Sequence, residues 1–128
     1  MLIKFSTEKS FTAVSAALQL AVAAHHFMIN QTHDLQDTMN HIGEEKVRQC
    51  LVFEISQVQQ EKVFNQNPNI FSVLPSRIFM YEEDNKTVLA TLKPSTLLAE
   101  MFHTQQMPEA DQQMEDTIIA IMKQATGG

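Results

Sequence analysis

Glycine and cysteine are nearly missing from this chain, and their scarcity removes several kinds of chemistry at once. The only glycines are Gly43, Gly127 and Gly128. A phosphate-cradling loop needs glycine where backbone N–H groups approach the ligand, so nucleotide and dinucleotide binding in their usual forms are excluded. No Gly-x-Ser-x-Gly segment occurs, so there is no strained elbow to expose a nucleophilic serine. Cys50 is the only cysteine. No intrachain disulfide can form, and a reducing compartment, the cytoplasm, is the natural setting. The compact Cys/His spacings of zinc sites are lacking too. Charge of either sign is missing from Ser10 to Thr32. Within that stretch Ala21-Val22-Ala23 resembles a signal-peptidase site, but Thr12, Ser15, Gln19, His25 and His26 interrupt the apolar run and Glu8 spoils a basic leader. A secretory core is about 7–15 unbroken apolar residues and a membrane span is longer, so neither is expected.

What remains is the composition of an ordinary globular chain. Its 128 residues are 44% apolar, enough for one domain spanning 1–128 with a sizeable core. The formal charge is -6 and the isoelectric point about 5.2. That balance argues against nucleic acid or an anionic membrane as partner, and no block of like charge overrides it. There is no internal repeat, low-complexity segment or linker.

Periodicity supplies the elements. Leu2 to Ser6 starts a strand. Ser10 or Thr7 caps a helix running to Ala24, with Phe11, Val14, Leu18, Ala21, Val22 and His25 on one stripe. The other side of that helix is Ala, Ser, Thr and Gln, suited to close packing or an oligomer contact. Phe27-Met28-Ile29 begins a second strand. Asp34 caps a short helix aligning Leu35, Met39 and Ile42, which Gly43 ends before a polar connection from Glu44 to Arg48. Gln49 to Ile55 is apolar on both faces, hence an interior strand. Ser56-Gln57-Val58-Gln59 has the spacing of a capping box and predicts another short helix, closed by Asn67-Pro68. Pro94-Ser95 opens a helix burying Leu97, Leu98, Met101 and Phe102. Pro108 starts a last helix with the stripe Ala110, Met114, Ile118, Ile121 and Ala125, and Gly127-Gly128 are a frayed end. Early strand–helix–strand followed by a meander reads as α+β, with one mostly antiparallel sheet and helices on one face.

The clearest local signal is a β-hairpin between Pro75 and Pro94, neither of which can donate to a ladder. Arg77 to Glu82 and Lys86 to Leu92 are its arms. Asp84-Asn85 tolerates positive φ, so a two-residue type I′ turn is expected. That register sets Tyr81 opposite Val88, Met80 opposite Leu89 and Phe79 opposite Ala90. Tyr81, Phe79 and Val88 then share one face, and Met80, Ile78 and Leu89 the other. One face is expected to cover a helix layer, and the other to meet loops or a second subunit.

Leu74-Pro75-Ser76-Arg77-Ile78, then Tyr81-Glu82-Glu83-Asp84-Asn85-Lys86-Thr87, then Lys93-Pro94 resemble the core signature of the domain-of-unknown-function family 302. Phe53-Glu54-Ile55, Asn67-Pro68 and the opening Lys9-Ser10-Phe11 sit at matching distances. The resemblance covers nearly the whole chain. It implies a β-α-β-β-β-β-α domain of the TATA-binding-protein-like type, about five strands gripping helices on one face. It also implies a homodimer, and no established activity. A branch of that family carries cysteine where Ser56 and Ser76 stand. Serine offers no soft thiolate, so any thiol chemistry of that branch is not expected here.

The candidate residues follow. Cys50, in a strand apolar on both faces, reads as a small buried hydrophobe. Met101, His103 and Met107, like His33, Met39 and His41, would suit copper, so a His/Met metal site stands as one alternative. Against it, Met28, Met39, Met101 and Met114 fall on expected core positions, and His25 and His26 diverge by about 100° on a helix. No metal or other cofactor is therefore expected. Glu54 and Arg77 lie in strands that look buried. They form an ion pair if those strands are neighbours. Alternatively Arg77, with Tyr81, presents donors to a carboxylate or phosphate ligand, and Arg77, Tyr81 and Glu54 are the polar anchors of a small-ligand site. Glu82 and Glu83 flank the turn and are solvated. The function expected is a non-enzymatic small-ligand-binding or protein-interaction module acting as a homodimer. A small-molecule enzyme or sensor with a cleft between sheet and helix is the alternative.

Overall fold

Ser10 starts the first helix because its side chain is short enough to turn back on the backbone. In the computed structural model, which describes residues 2–41, 48–58, 76–93, 95–96 and 109–127, its Oγ accepts the N–H of Ala13 at 3.1 Å. Thr7 serves elsewhere, its Oγ1 accepting the N–H of Lys9. The helix, α1, spans Phe11–Ala24 and follows strand β1, Leu2–Thr7. At its far end His26 takes φ 61, and the N–H groups of His25 and His26 close back onto Ala21 and Ala23 at 3.1 Å each. With no glycine in reach, histidine fills a left-handed position that glycine commonly takes.

Strand β2 (Phe27–Asp34) leads into α2 (Leu35–His41), where Asp34 Oδ1 accepts the N–H of Asp37 at 3.0 Å, the expected cap. Strands β3 (Cys50–Gln57), β4 (Ser76–Glu83) and β5 (Lys86–Leu92) follow, and α3 (Glu109–Gly127) ends the chain. The five strands form one sheet in the order β1-β5-β4-β3-β2, with every neighbouring pair antiparallel. So α1 carries the chain from one edge strand to the other, and β3 is interior, as its two apolar faces require.

The β4–β5 hairpin has the register its sequence predicts. Phe79 faces Ala90, Met80 faces Leu89 and Tyr81 faces Val88. Asp84 and Asn85 stand at φ 53 and 61, the positive angles of a type I′ turn. Ile78, Met80 and Leu89 join Phe27, Phe53 and Ile55 in a core with Val14, Leu18, Ala21 and Val22 of α1. Met114, Ile118, Ile121, Met122 and Ala125 of α3 complete it. That is the helix-covered face. Alternation sends Tyr81, Phe79 and Val88 to the far face of the sheet, opposite α1 and α3.

Four expectations are corrected. Ser56 does not open a helix. It pairs with Met28 as β3 continues to Gln57, and its hydroxyl bonds the Asn30 amide at 2.9 Å. A ladder partner and a side-chain partner together override the local capping pattern. Met28 and Met39 are not core: they are 47% and 36% exposed. Met28 shares the far face with Ser56 on an edge strand. Met39 sits on a two-turn helix outside the core, and among the described residues the buried methionines are Met80, Met114 and Met122. Arg77 is not buried: its side chain is 56% exposed at the start of β4. The last helix ends on Gly127, which is helical. Ser95 and Thr96 are helical as expected, and Ser95 donates its N–H to the buried carboxylate of Glu115 at 3.0 Å. The expectations for Pro75, Pro94, Pro108, Ile42, Gly43, Asn67-Pro68 and the segment from Leu97 to Phe102 lie outside the described residues.

Candidate functional site

Antiparallel pairing of β3 with β4 sets Glu54 directly opposite Arg77, and both side chains emerge on the far face. The ion pair forms. Arg77 Nε and Nη2 each lie 3.2 Å from Glu54 Oε1. The Glu54 side chain is only 13% exposed, whereas that of Arg77 is 56% exposed. The carboxylate therefore lies low in the sheet surface, while the guanidinium covers it and keeps contact with solvent.

A third group arrives from β2. Between Ile29 and Gln31 the register slips, so Met28 faces Ser56 but Gln31 faces Glu54. Asn30 is the extra residue of a β-bulge, and one extra residue reverses the alternation of everything beyond it. His33 now pairs with Val52 and shares the far face with Glu54. Its Nε2 lies 3.5 Å from Glu54 Oε2. Each oxygen of one carboxylate thus has a side-chain nitrogen within 3.5 Å, each from a different neighbouring strand. The bulge is itself fastened by the bond between Asn30 and Ser56, a hydroxyl only 1% exposed.

Tyr81 belongs to a second cluster. It lies four residues beyond Arg77 on the same strand, about 13 Å away at roughly 3.3 Å per residue. Lys4 of β1 reaches over it, with Nζ 5.9 Å from the ring centroid. The Tyr81 hydroxyl, then the charges of Tyr81 and Glu83, hold the exposed Lys4 ammonium above its ordinary range. Half-buried Phe79 stands between the two clusters on β4. Of the three anchors named from sequence, the structure joins Glu54 to Arg77 and leaves Tyr81 on the same face but out of contact. Lys4 and His33 were missed in that role. Sequence proximity groups His33 with Met39 and His41 as a metal candidate, because its true neighbour depends on the bulge. Lys4 reaches Tyr81 only because β1 pairs with β5, which no local pattern states.

Cys50 is half-buried. Burial first, and the negative charge of Asp34 second, push its thiol pKa up, so the thiolate is disfavoured. Ser56 and Ser76 do not form one site: Ser76 pairs with Ile55, one position from Ser56, so their side chains leave the sheet on opposite faces. His25 contacts Gln124 Oε1 through Nε2 at 3.0 Å. Among the described residues no three His, Cys, Asp or Glu side chains converge as metal ligands. The Met101, His103 and Met107 group, and the side chain of His41, lie outside them. Beside the β4–β5 turn an open polar cleft of about 500 Å³ is lined by Gln36, Arg48, Gln49 and residues 82–85, and includes none of the three anchors. Among the described residues no helix is long and apolar enough to cross a membrane.

Residues 3–125 match the family described as domain of unknown function DUF302. The fold is shared with the crystal structure of an uncharacterized conserved DUF302 protein from Bacillus stearothermophilus, at a TM-score of 0.85 and 16% sequence identity over 97% of either chain. Identity that low carries the fold and not the chemistry of a surface. No curated protein matches the chain.

Proposed function

The chain belongs to the DUF302 family, and from that premise we propose that it is a non-enzymatic small-ligand-binding module, cytoplasmic and homodimeric, with its site on the far face of the sheet at Arg77, Glu54 and Tyr81. The observation that carries this reading is the half-exposed guanidinium of Arg77, held in place by the low-lying carboxylate of Glu54. A positioned guanidinium presents a planar fork of donors at little further entropic cost, which suits recognition of a small polar group. Phe79 supplies aromatic surface next to it, and Tyr81 extends that surface further along the same face. The dimer part draws support from two exposed patches. Leu2 and Leu92 face each other across β1 and β5 at 50% and 40% exposure. The outer side of α1 is charge-free, with Leu20 72% exposed.

A thermal-shift screen of metabolites tests the ligand part. A ligand selective for the native state raises the melting temperature of the wild type. It must raise that of a folded Arg77→Ala variant much less. Equal shifts in both proteins would remove Arg77 from the site. Light scattering tests the dimer, and a monomer at micromolar concentration would sink that part alone.

A further inference from the structure

We propose that this site takes a small carboxylate with a flat apolar body, and that Glu54 is its built-in competitor. The inference rests on the ligand-site reading above and names its chemistry. Its ground is the grip on Glu54 itself. Arg77 from β4 and His33 from β2 converge on the two oxygens of one carboxylate, at 3.2 Å and 3.5 Å. The arrangement is a carboxylate receptor already occupied by the chain's own carboxylate.

The occupant lies low and the donors stand high. Glu54 is 13% exposed, against 56% for Arg77 and 46% for His33. Arg77 uses Nε and Nη2 on Glu54, and among the described residues Nη1 has no partner. Five N–H donors lie in the plane of a guanidinium, so a second carboxylate arriving from solvent meets the edge that Glu54 leaves unused. Glu54 opposes that arrival by like charge at close range. Removing the charge while keeping the side-chain shape should therefore strengthen binding. The apolar body is assigned from Phe79, two residues from Arg77 on the same face and opposite Val52, whose other neighbour is His33. A ring stacked there is within side-chain reach of both donors.

The test is a titration of wild type, Glu54→Gln and Arg77→Gln with sodium benzoate at fixed ionic strength, followed by ¹H–¹⁵N spectra. Benzylamine, the cationic counterpart, is titrated in parallel. Benzoate should move the Arg77 Nε–H signal and the amides of residues 52–54 and 77–79 in wild type. Glu54→Gln should bind it about tenfold more tightly, the order expected for removing a like charge within roughly 6 Å at a protein surface. Arg77→Gln should abolish the response. Unchanged or weaker binding in a folded Glu54→Gln variant overturns the competitor. Should that variant not fold, the wild-type titration decides alone, and a stationary Arg77 Nε–H overturns the proposal. If benzylamine moves these signals and benzoate does not, the carboxylate is wrong and the site stands. Silence with both probes, joined to a metabolite screen without hits, removes the site as well.

Discussion

Arg77→Ala separates a residue that holds the fold from one that holds a ligand, and its cost can be worked from the geometry. At 3.2 Å a unit charge pair is worth about 1 kcal/mol in bulk water and about 5 kcal/mol at an effective dielectric of 20. Arg77 is more than half exposed, so its environment is nearer the first limit, and fixing a long side chain offsets part of the gain. His33 Nε2 remains 3.5 Å from the other oxygen of Glu54, so the carboxylate keeps a second nitrogen neighbour. The net loss should be about 1 kcal/mol, which lowers the melting temperature of a domain this size by roughly 4 °C. The assay is urea unfolding of wild type, Arg77→Ala, Glu54→Gln and the double variant, read as a double-mutant cycle. Coupling of about 0.5–1 kcal/mol is expected, with folded single variants. Coupling above about 3 kcal/mol would refute the reasoning, because it would mean that the pair behaves as a buried one on which the sheet depends.

Three further outcomes follow from the same contacts. Ser10→Ala removes the acceptor of the Ala13 N–H and should cost about 1 kcal/mol in urea unfolding, while Thr7→Ala should not unseat the helix. Leu18→Ala opens a cavity at a position with 0% exposure and should cost about 2–5 kcal/mol, whereas Leu20→Ala, 72% exposed, should cost little. Cys50, with its thiol pKa raised by burial and Asp34, carries less thiolate at neutral pH than a free cysteine. It should be alkylated by iodoacetamide more slowly than cysteine in a short peptide, the rate rising with pH, and an equal or faster rate would contradict that environment.

Features set by neighbouring residues were legible in the sequence, and most features set by pairing between distant strands were not. Asp84-Asn85 fixes a two-residue turn, and period-two alternation then fixes every partner from Phe79 to Ala90. Ser10 and the stripe from Val14 to Val22 fix α1 in the same local way. Ser56 misled because the capping-box spacing is local, while its real partners, Met28 and Asn30, lie on another strand. Met28 misled because periodicity says which residues share a face and not which face the helices cover. His33 is the instructive case. Its phase depends on the one extra residue at Asn30, and a bulge is a property of two strands at once. The Glu54–Arg77 pair was foreseeable from charge in two interior strands. The degree of exposure of Arg77 was not, because it depends on what stands around that end of β4.

The most direct measurement is a chemical-shift map of the ligand that most raises the melting temperature of the wild type. The account predicts that the largest changes fall on the Arg77 Nε–H and on the backbone of Glu54 and residues 77–81, and that they vanish in Arg77→Ala. Changes centred instead on Gln36, Arg48 and residues 82–85, the cleft beside the turn, would contradict it and move the site to the other end of the hairpin.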